Sequence, residues 1–503
     1  METILLSLQS LGDVTLILAA IVGVAWGIVG GAMPGISPSI TMALLLPFTY
    51  TMSPAPAIVL LASTYVGAEY GGSIPAILIR TPGTNAAAAT VIDGYEMNRQ
   101  GKAGEALGIS LYSGVLGSLF GLTMLILLSK PLAGVALSFT PPAYFALGIL
   151  GLSVIATLSG ENILKGFAAA TLGLMIATIG TDPVTGGNRF TFGSSDLLTG
   201  IAPVMIMVGL FAMSELLVQA AGKSGGEKVT SRPRIAFPNF AMARRLAVPQ
   251  AIGAGIGTFE GCMPGAGGTV ASFMSYNEAR RWSPNRSQFG KGAPEGIAAP
   301  ETANNAVAET ALVPLLSFGI PGSNSTAILL GGFLIHGIAP GPMLFQRSGD
   351  VVYGLYGGLL AAAIALLFVG MALLPVCIWM VNRPKPWLSA FIFALVMSGI
   401  YSIHNSLFDL SVLLIAGVVG FLMRILKFPF LPAVLGLVLG YLVESNFRRS
   451  LVLSGDDYSI FFTDKISFAL LALAAVFIIG ALGKRVFDFF LAPPNADKAG
   501  DVA

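Results

Sequence analysis

The chain has 503 residues, 55% of them hydrophobic and only 10% charged, with a formal net charge of +2. A soluble domain carries roughly 25% charged residues, so this composition excludes an ordinary soluble enzyme, and the small net charge gives no footing for nucleic acid. Its two cysteines, Cys262 and Cys377, lack metal or redox spacing and read as free thiols in apolar surroundings.

In chain order, the first apolar block is Val14–Gly31. No Lys or Arg precedes it, so it lacks the basic start of a cleaved signal peptide and reads as a membrane span. Gly23, Gly27, Gly31 and Gly35 recur at four-residue steps, a spacing that lets membrane helices approach closely. Met33-Pro34-Gly35 then breaks the helix, with Ser37 and Ser39 following, and the connection at 49–56 has no charge. Glu69 lies in Tyr65-Val66-Gly67-Ala68-Glu69-Tyr70-Gly71-Gly72-Ser73, a stretch that reads as a gate or a packed seam. Arg80 stands just before Thr81-Pro82-Gly83-Thr84-Asn85 and is placed either to meet an anion or to snorkel to an interface. Apolar blocks follow at 106–129, 352–381, 410–423 and 466–483. We expect about 11–13 membrane segments in all, several interrupted by Gly or Pro.

Lys223, Lys228, Arg232, Arg234, Arg244 and Arg245 face one acid, Glu227, which makes this loop cytoplasmic by the positive-inside rule. The same rule places Arg280, Arg281, Arg286 and Lys291 inside, and Lys484 and Arg485 put the C-terminus inside as well.

The broken segments recur. Met33-Pro34-Gly35 is echoed by Met263-Pro264-Gly265, and Pro82-Gly83-Thr84-Asn85 by Pro321-Gly322-Ser323-Asn324. The order is the same, with 48 residues from Pro34 to Pro82 and 57 from Pro264 to Pro321. This predicts an ancestral duplication: membrane repeat 1 over 1–220, a cytoplasmic basic linker over 221–245, membrane repeat 2 over 246–490 and a disordered tail over 491–503. The connection after the first Met-Pro-Gly is uncharged and its counterpart is basic, the pattern of inverted-topology repeats.

Pro and Gly stop a helix, and Thr84, Asn85, Ser323 and Asn324 then offer hydroxyl and amide groups beside freed backbone. New helices starting at 86–91 and 325–330 would point N–H donors at a carboxylate. Gly83, Thr84, Asn85, Gly322, Ser323, Asn324 and Arg80 are therefore the candidate substrate-binding residues. On a predicted helix over 297–318, Glu301, Asn304, Asn305 and Glu309 share one face, where exposure to lipid is costly. Glu301, Asn304 and Asn305, with Gly35, Ser37 and Gly265 of the Met-Pro-Gly segments, are the candidate cation-binding or coupling residues. A capped surface turn, a kink and a helix–helix seam are the plain structural alternatives for these three features. His336 and His404 stand alone and read as structural. No phosphate loop, H-E-x-x-H or G-x-S-x-G motif occurs, so any energy must come from an ion gradient.

Gly31-Ala32-Met33-Pro34-Gly35, Tyr70-Gly71-Gly72-Ser73, the run from Gly296 through Ala299-Pro300-Glu301-Thr302-Ala303-Asn304-Asn305, and Gly319-Ile320-Pro321-Gly322-Ser323 resemble the large membrane subunit of the tripartite tricarboxylate transporters, the TctA-like family. The likeness extends over nearly the whole chain. It implies a multi-pass permease of the bacterial inner membrane that imports a small di- or tricarboxylate with a sodium or proton gradient, sodium being favoured. It implies two partners, a small TctB-like membrane subunit and a periplasmic TctC-like solute-binding protein. No cofactor is implied beyond a transported sodium ion. The paired tips also look like the Ser-Asn-Thr tips of divalent-anion/sodium symporters, an analogy that implies elevator-like movement. The expected fold is thus an all-α polytopic secondary transporter with re-entrant helices. The rival readings are a passive carboxylate channel or exporter, an intramembrane enzyme using Glu301 and Glu260, and a non-transporting scaffold.

Overall fold

The computed structural model describes residues 2–158, 162–182, 185–221, 233–263, 265, 267–382 and 385–491. The basic linker's Lys223, Lys228 and Arg232, its Glu227, and the tail beyond 491 lie outside the described residues. The first part of the chain forms α1 (Glu2–Gln9), α2 (Val14–Gly31), α3 (Pro38–Leu45), α4 (Pro54–Ile79), α5 (Ala88–Arg99), α6 (Ala103–Ala136), α7 (Pro141–Leu158) and α8 (Ile163–Ala177). A two-stranded hairpin follows, β1 (Gly180–Thr181) with β2 (Asn188–Arg189), antiparallel with Gly180 opposite Arg189. Next come α9 (Pro203–Val208) and α10 (Ser214–Ala221), joined by a π-helical turn at Gly209–Met213, then α11 (Phe240–Cys262), α12 (Gly267–Trp282), α13 (Glu295–Thr310), α14 (Leu312–Phe318) and α15 (Asn324–Ile335). The chain closes with α16 (Leu344–Arg347), α17 (Gly349–Val381), α18 (Lys385–His404), α19 (Leu407–Ile425), α20 (Phe430–Ser454), α21 (Ile460–Thr463) and α22 (Lys465–Leu491).

Caps fix many of the helix starts, because the first backbone N–H groups have no partner inside the helix. The Asp13 carboxylate accepts from Thr15 N at 2.8 Å, Asn239 Oδ1 from Met242 N at 2.9 Å and Ser406 Oγ from Asp409 N at 3.2 Å. The helix expected over 297–318 is two helices that part at Ala311. Pro314 causes the break: it has no N–H to give the Thr310 carbonyl, and its ring crowds that turn.

Six helices among the described residues are long and apolar enough to cross a membrane: Val14–Gly31, Ala103–Ala136, Pro203–Ala221, Gly349–Val381, Leu407–Ile425 and Phe430–Ser454. Shorter apolar helices follow at Pro141–Thr157, Ile163–Ala177, Asn324–Ile335, Ser389–His404 and Lys465–Ala481. The chain is a multi-pass, all-α membrane protein. α4, with 26 residues, is absent from the apolar six because Gly, Pro, Ser, Thr, Tyr and Glu69 lower its hydropathy, and every residue from Pro56 to Ile79 is buried. A helix sheltered from lipid is free to carry polar groups.

Two compact units emerge, each drawing on both halves of the chain: one from residues 1–138 and 193–426, the other from 139–192 and 427–503. In the smaller unit α8 and α20 cross closely, since a methyl on Gly173 would strike the Ala433 carbonyl and one on Gly436 the Ala170 carbonyl. A ring of ion pairs holds the hairpin on α20: Arg189 to Glu444 at 2.6 Å, Arg448 to Glu444 at 2.7 Å and Arg448 to Asp182 at 2.9 Å.

In the larger unit the glycine run does what its spacing predicts. Gly23 and Gly27 of α2 press on the Leu60 and Thr64 carbonyls of α4, leaving no room for a Cβ. The same geometry occurs a second time, where Gly253 and Gly257 of α11 press on the Ala299 and Ala303 carbonyls of α13. At the edge of this unit Asp93 organises the connection into α13. Its Oδ1 accepts from the backbone N–H groups of Gly290, Gly292 and Ala293, each at 2.8 Å, and its Oδ2 from the Tyr276 hydroxyl at 2.9 Å. Asp93→Ala would strip four donors of their acceptor. We expect it to destabilise the protein by on the order of 3 kcal/mol, read as a lower unfolding temperature in detergent.

Candidate functional site

Both Pro-Gly-[Ser/Thr]-Asn segments are tips at which the chain doubles back, and they are built alike. α4 ends at Arg80 in the left-handed conformation (φ 56°), and α14 ends at Gly319 in the same one (φ 75°). Pro75 and Pro314 lie five residues before these caps, and their carbonyls accept from Thr81 N at 3.4 Å and Ile320 N at 3.3 Å. The chain then doubles back into the protein. Gly83 N donates to the Gly72 carbonyl at 3.0 Å, a return of about 12 Å along α4 at 1.5 Å per residue. Gly322 makes the matching return and rests on Ala311, whose carbonyl would be 3.2 Å from a Cβ there. Each tip also abuts the helix that enters its Met-Pro-Gly turn. A Cβ on Gly83 would meet the Gly31 carbonyl, and one on Gly322 the Gly261 carbonyl at 3.1 Å. Gly265 N donates to the Gly322 carbonyl at 3.0 Å.

Within each tetrad the hydroxyl turns in and the amide turns out. Thr84 and Ser323 are buried, whereas Asn85 and Asn324 are exposed. Ser323 closes a capping box with Thr326 at the start of α15, and its hydroxyl also lies 3.3 Å from the Tyr65 hydroxyl. Thr84 Oγ1 accepts from Ala87 N at 3.3 Å and sits beside Glu69. The first tip's helix begins at Ala88, and the second begins at Asn324.

The two tips are cross-braced. Tyr65 lies 19 residues before Thr84 and Asn304 lies 19 before Ser323, so they hold matching positions. Yet Tyr65 on α4 reaches Ser323 of the second tip, while Asn304 on α13 reaches toward the first. Asn304 Nδ2 donates to Glu69 Oε2 at 2.9 Å, next to Thr84.

Glu69 and Glu301 form the polar heart of this region. Glu301 accepts from Thr90 Oγ1 and, at 3.0 Å, from Ser110 Oγ, which in turn lies 2.6 Å from Ser73 Oγ. Asn305 Nδ2 is turned to the Glu301 carbonyl at 3.0 Å, and the side-chain oxygens of Asn304 and Asn305 are buried without a hydrogen-bond partner among the described residues. Two buried acids are paired, Glu295 with Arg245 at 2.6 Å and Glu215 with Arg424. Among the described residues Glu69, Glu301 and Glu309 have no such cation. A carboxylate-rich, oxygen-lined interior without Lys or Arg can take a small hard cation, while exposed amides at helix starts can take an anion.

The remaining candidates stand apart from this cluster. The Arg80 guanidinium lies 5.9 Å from the centre of the Tyr95 ring. Ser37 caps α3 and lies 2.9 Å from Ser39 Oγ, and Gly35 faces Glu215 and Gln219. Gly35 and Gly265 share a left-handed backbone, at φ 90° and 95°. Sequence reasoning did not place Glu69, Tyr65, Ser73, Thr90 or Ser110 among the binding residues, and read the stretch from Tyr65 to Ser73 only as a gate or a packed seam. The equal 19-residue offsets were the signal available for Tyr65. His404 pairs with Asp409 at 2.7 Å, and Cys377 is buried while Cys262 is half-buried.

Residues 17–435 match the Tripartite tricarboxylate transporter TctA family. Among relatives, the chain is similar to an uncharacterised 52.8 kDa protein of the TAR-I ttuC′ 3′ region of Agrobacterium vitis, at 37% identity over 461 residues, 92% of each chain. It is also similar to a protein of the TAR-II ttuC′ 3′ region of the same organism, at 35% identity over 226 residues, 45% of this chain and 93% of the other. Matched tips inside an all-α membrane protein fit that match, and the chain belongs to the tripartite tricarboxylate transporter TctA family, as the membrane subunit of such a system.

Proposed function

We propose that this chain is the permease of a binding-protein-dependent secondary transporter that imports small di- or tricarboxylates with a sodium gradient. Exposed Asn85 and Asn324, at the starts of helices that turn back into the protein, would receive the carboxylate groups. Glu69, Glu301, Asn304 and Asn305 would receive the cation. The observation that carries this reading is the cross-bracing, because Asn304 reaches the Glu69–Thr84 corner of the first tip while belonging to the helix that leads to the second. A cation at Glu69 and Glu301 would therefore set the position of both tips, which is what coupling requires.

The repeated glycine crossings, proline kinks and left-handed caps support an ancestral duplication, and units drawn from both halves suit elevator-like movement. In this reading the protein sits in the bacterial inner membrane with the 221–245 linker and the C-terminus in the cytoplasm. It works with a small TctB-like membrane subunit and a TctC-like periplasmic binding protein.

The test is uptake of radiolabelled citrate into proteoliposomes holding the chain and its small subunit, with the binding protein outside. We expect uptake to need an inward sodium gradient and to show counterflow. Uptake without counterflow would replace the carrier with a channel. Silence under sodium and proton gradients across a carboxylate panel would remove the substrate class.

A further inference from the structure

Glu309 sits two turns beyond Glu301 on α13 and is 0% exposed. Neither of its carboxylate oxygens has a hydrogen-bond partner among the described residues. This separates it from Glu301 and Glu69, whose oxygens are met by Thr90, Ser110 and Asn304. Its Cβ packs on α6, 2.8 Å from where a Cβ on Gly121 would stand.

The groups around it are few. α4 brings Tyr65, within electrostatic range of both Glu309 and Glu69. α11 carries Glu260 on the stretch packed against α13, and α13 itself carries Glu301 and Asn305. α6 has no titratable residue within two turns of Gly121, and α14 has none at all. α12 and α5 also pack on α13, but α12 has no titratable residue before Tyr276 and α5 none before Asp93, which binds Tyr276 beside the start of α13. No Lys, Arg or His from these elements pairs with Glu309. A bare carboxylate buried without donor or counterion is strongly disfavoured. A metal cation needs a shell of several oxygens, whereas a proton needs one.

We propose that Glu309 is a proton-binding site distinct from the Glu69–Glu301 cluster, and that one proton crosses with each transport cycle on this carboxyl group. The proposal rests on the transporter reading given above. The proton is taken from water on one side as an O–H bond forms on Glu309, and that bond breaks to water on the other side, with no change in redox state. Tyr65 links this event to the second tip, since it lies within electrostatic range of Glu309 and its hydroxyl lies 3.3 Å from Ser323 Oγ.

The test uses the full chain in lipid and, for transport, its small subunit and binding protein. Infrared difference spectra of wild type against Glu309→Gln should contain the C=O stretch of a protonated carboxyl free of hydrogen bonds, and the band should persist in Glu301→Gln. In proteoliposomes Glu309→Gln should keep carboxylate counterflow yet lose at least tenfold of the stimulation by an inward proton gradient. Absence of the band difference, or full proton stimulation in Glu309→Gln, overturns the proposal. Should Glu309→Gln fail to fold, Glu309→Asp must keep a shifted carboxyl band and the proton response, and a folded Glu309→Asp with neither overturns it. Wild type that moves no carboxylate under any gradient removes the transport reading, while the infrared band still decides whether Glu309 holds a proton.

Discussion

Gly83→Ala is expected to reduce uptake roughly a hundredfold, the scale that follows from misplacing a binding element by about 1 Å, while Gly322→Ala stays within roughly tenfold of wild type, the cost of mild overpacking. The two glycines hold the same place in their tips, so a simple view of the pair would give them equal weight. Their surroundings differ. A Cβ on Gly83 would run into the Gly31 carbonyl and come within 2.8 Å of Gly72 Cα. All of these are backbone atoms of helices held by their own glycine crossings, and none can rotate away. A Cβ on Gly322 would find its nearest neighbours at 3.1, 3.2 and 3.3 Å, distances that a shift of a few tenths of an ångström relieves. Parallel uptake and membrane yield for both variants read the difference. Equal loss in both would mean that tip position is not what the close approach at Gly83 protects.

The second large effect is expected at the exposed amides. Asn85→Ala and Asn324→Ala should each lower uptake about 10- to 100-fold, the value of a hydrogen bond to a charged group. Neither should change stability by more than about 0.5 kcal/mol, because both side chains are exposed. Thr84 and Ser323 should behave in the opposite way, since their hydroxyls are spent on the protein's own backbone and on Tyr65. Uptake assays beside thermal unfolding of the same preparations separate the two classes. Normal uptake in both asparagine variants would remove the tips as the place where substrate is held.

Much of this arrangement was legible from the residues. The low charge and the apolar blocks gave the class, and Pro-Gly pairs followed by hydroxyl and amide residues marked where helices break. The polar face from Glu301 to Glu309 could be drawn because helix spacing alone decides it. Less accessible was which half serves which tip. Tyr65 meets Ser323 across 258 residues and Asn304 meets Glu69 across 235, and local periodicity carries no information over such separations. The inward turn of Thr84 and the outward turn of Asn85 depend on how the tip lies against α4. The isolation of Glu309 also escaped the pattern, because Glu301 and Glu309 look equivalent on the helix face. Only the donors of α5 and α6 distinguish them.

α4 and α13 carry most of the site, and both are enclosed by protein along nearly their whole length. Neither is among the helices apolar enough to enter a bilayer by composition, and α13 alone holds Glu295, Glu301 and Glu309. An ionisable residue at the centre of a lone helix costs roughly 2.5–3.5 kcal/mol on entering a membrane from the translocon. These helices therefore need company in the bilayer, and the glycines of α2 and α11 leave room for α4 and α13 to pack against them. Apolar substitutions at Glu69, Asn304 or Glu309 would ease that entry and erase the chemistry. Membrane biogenesis and transport thus pull on the same side chains in opposite directions.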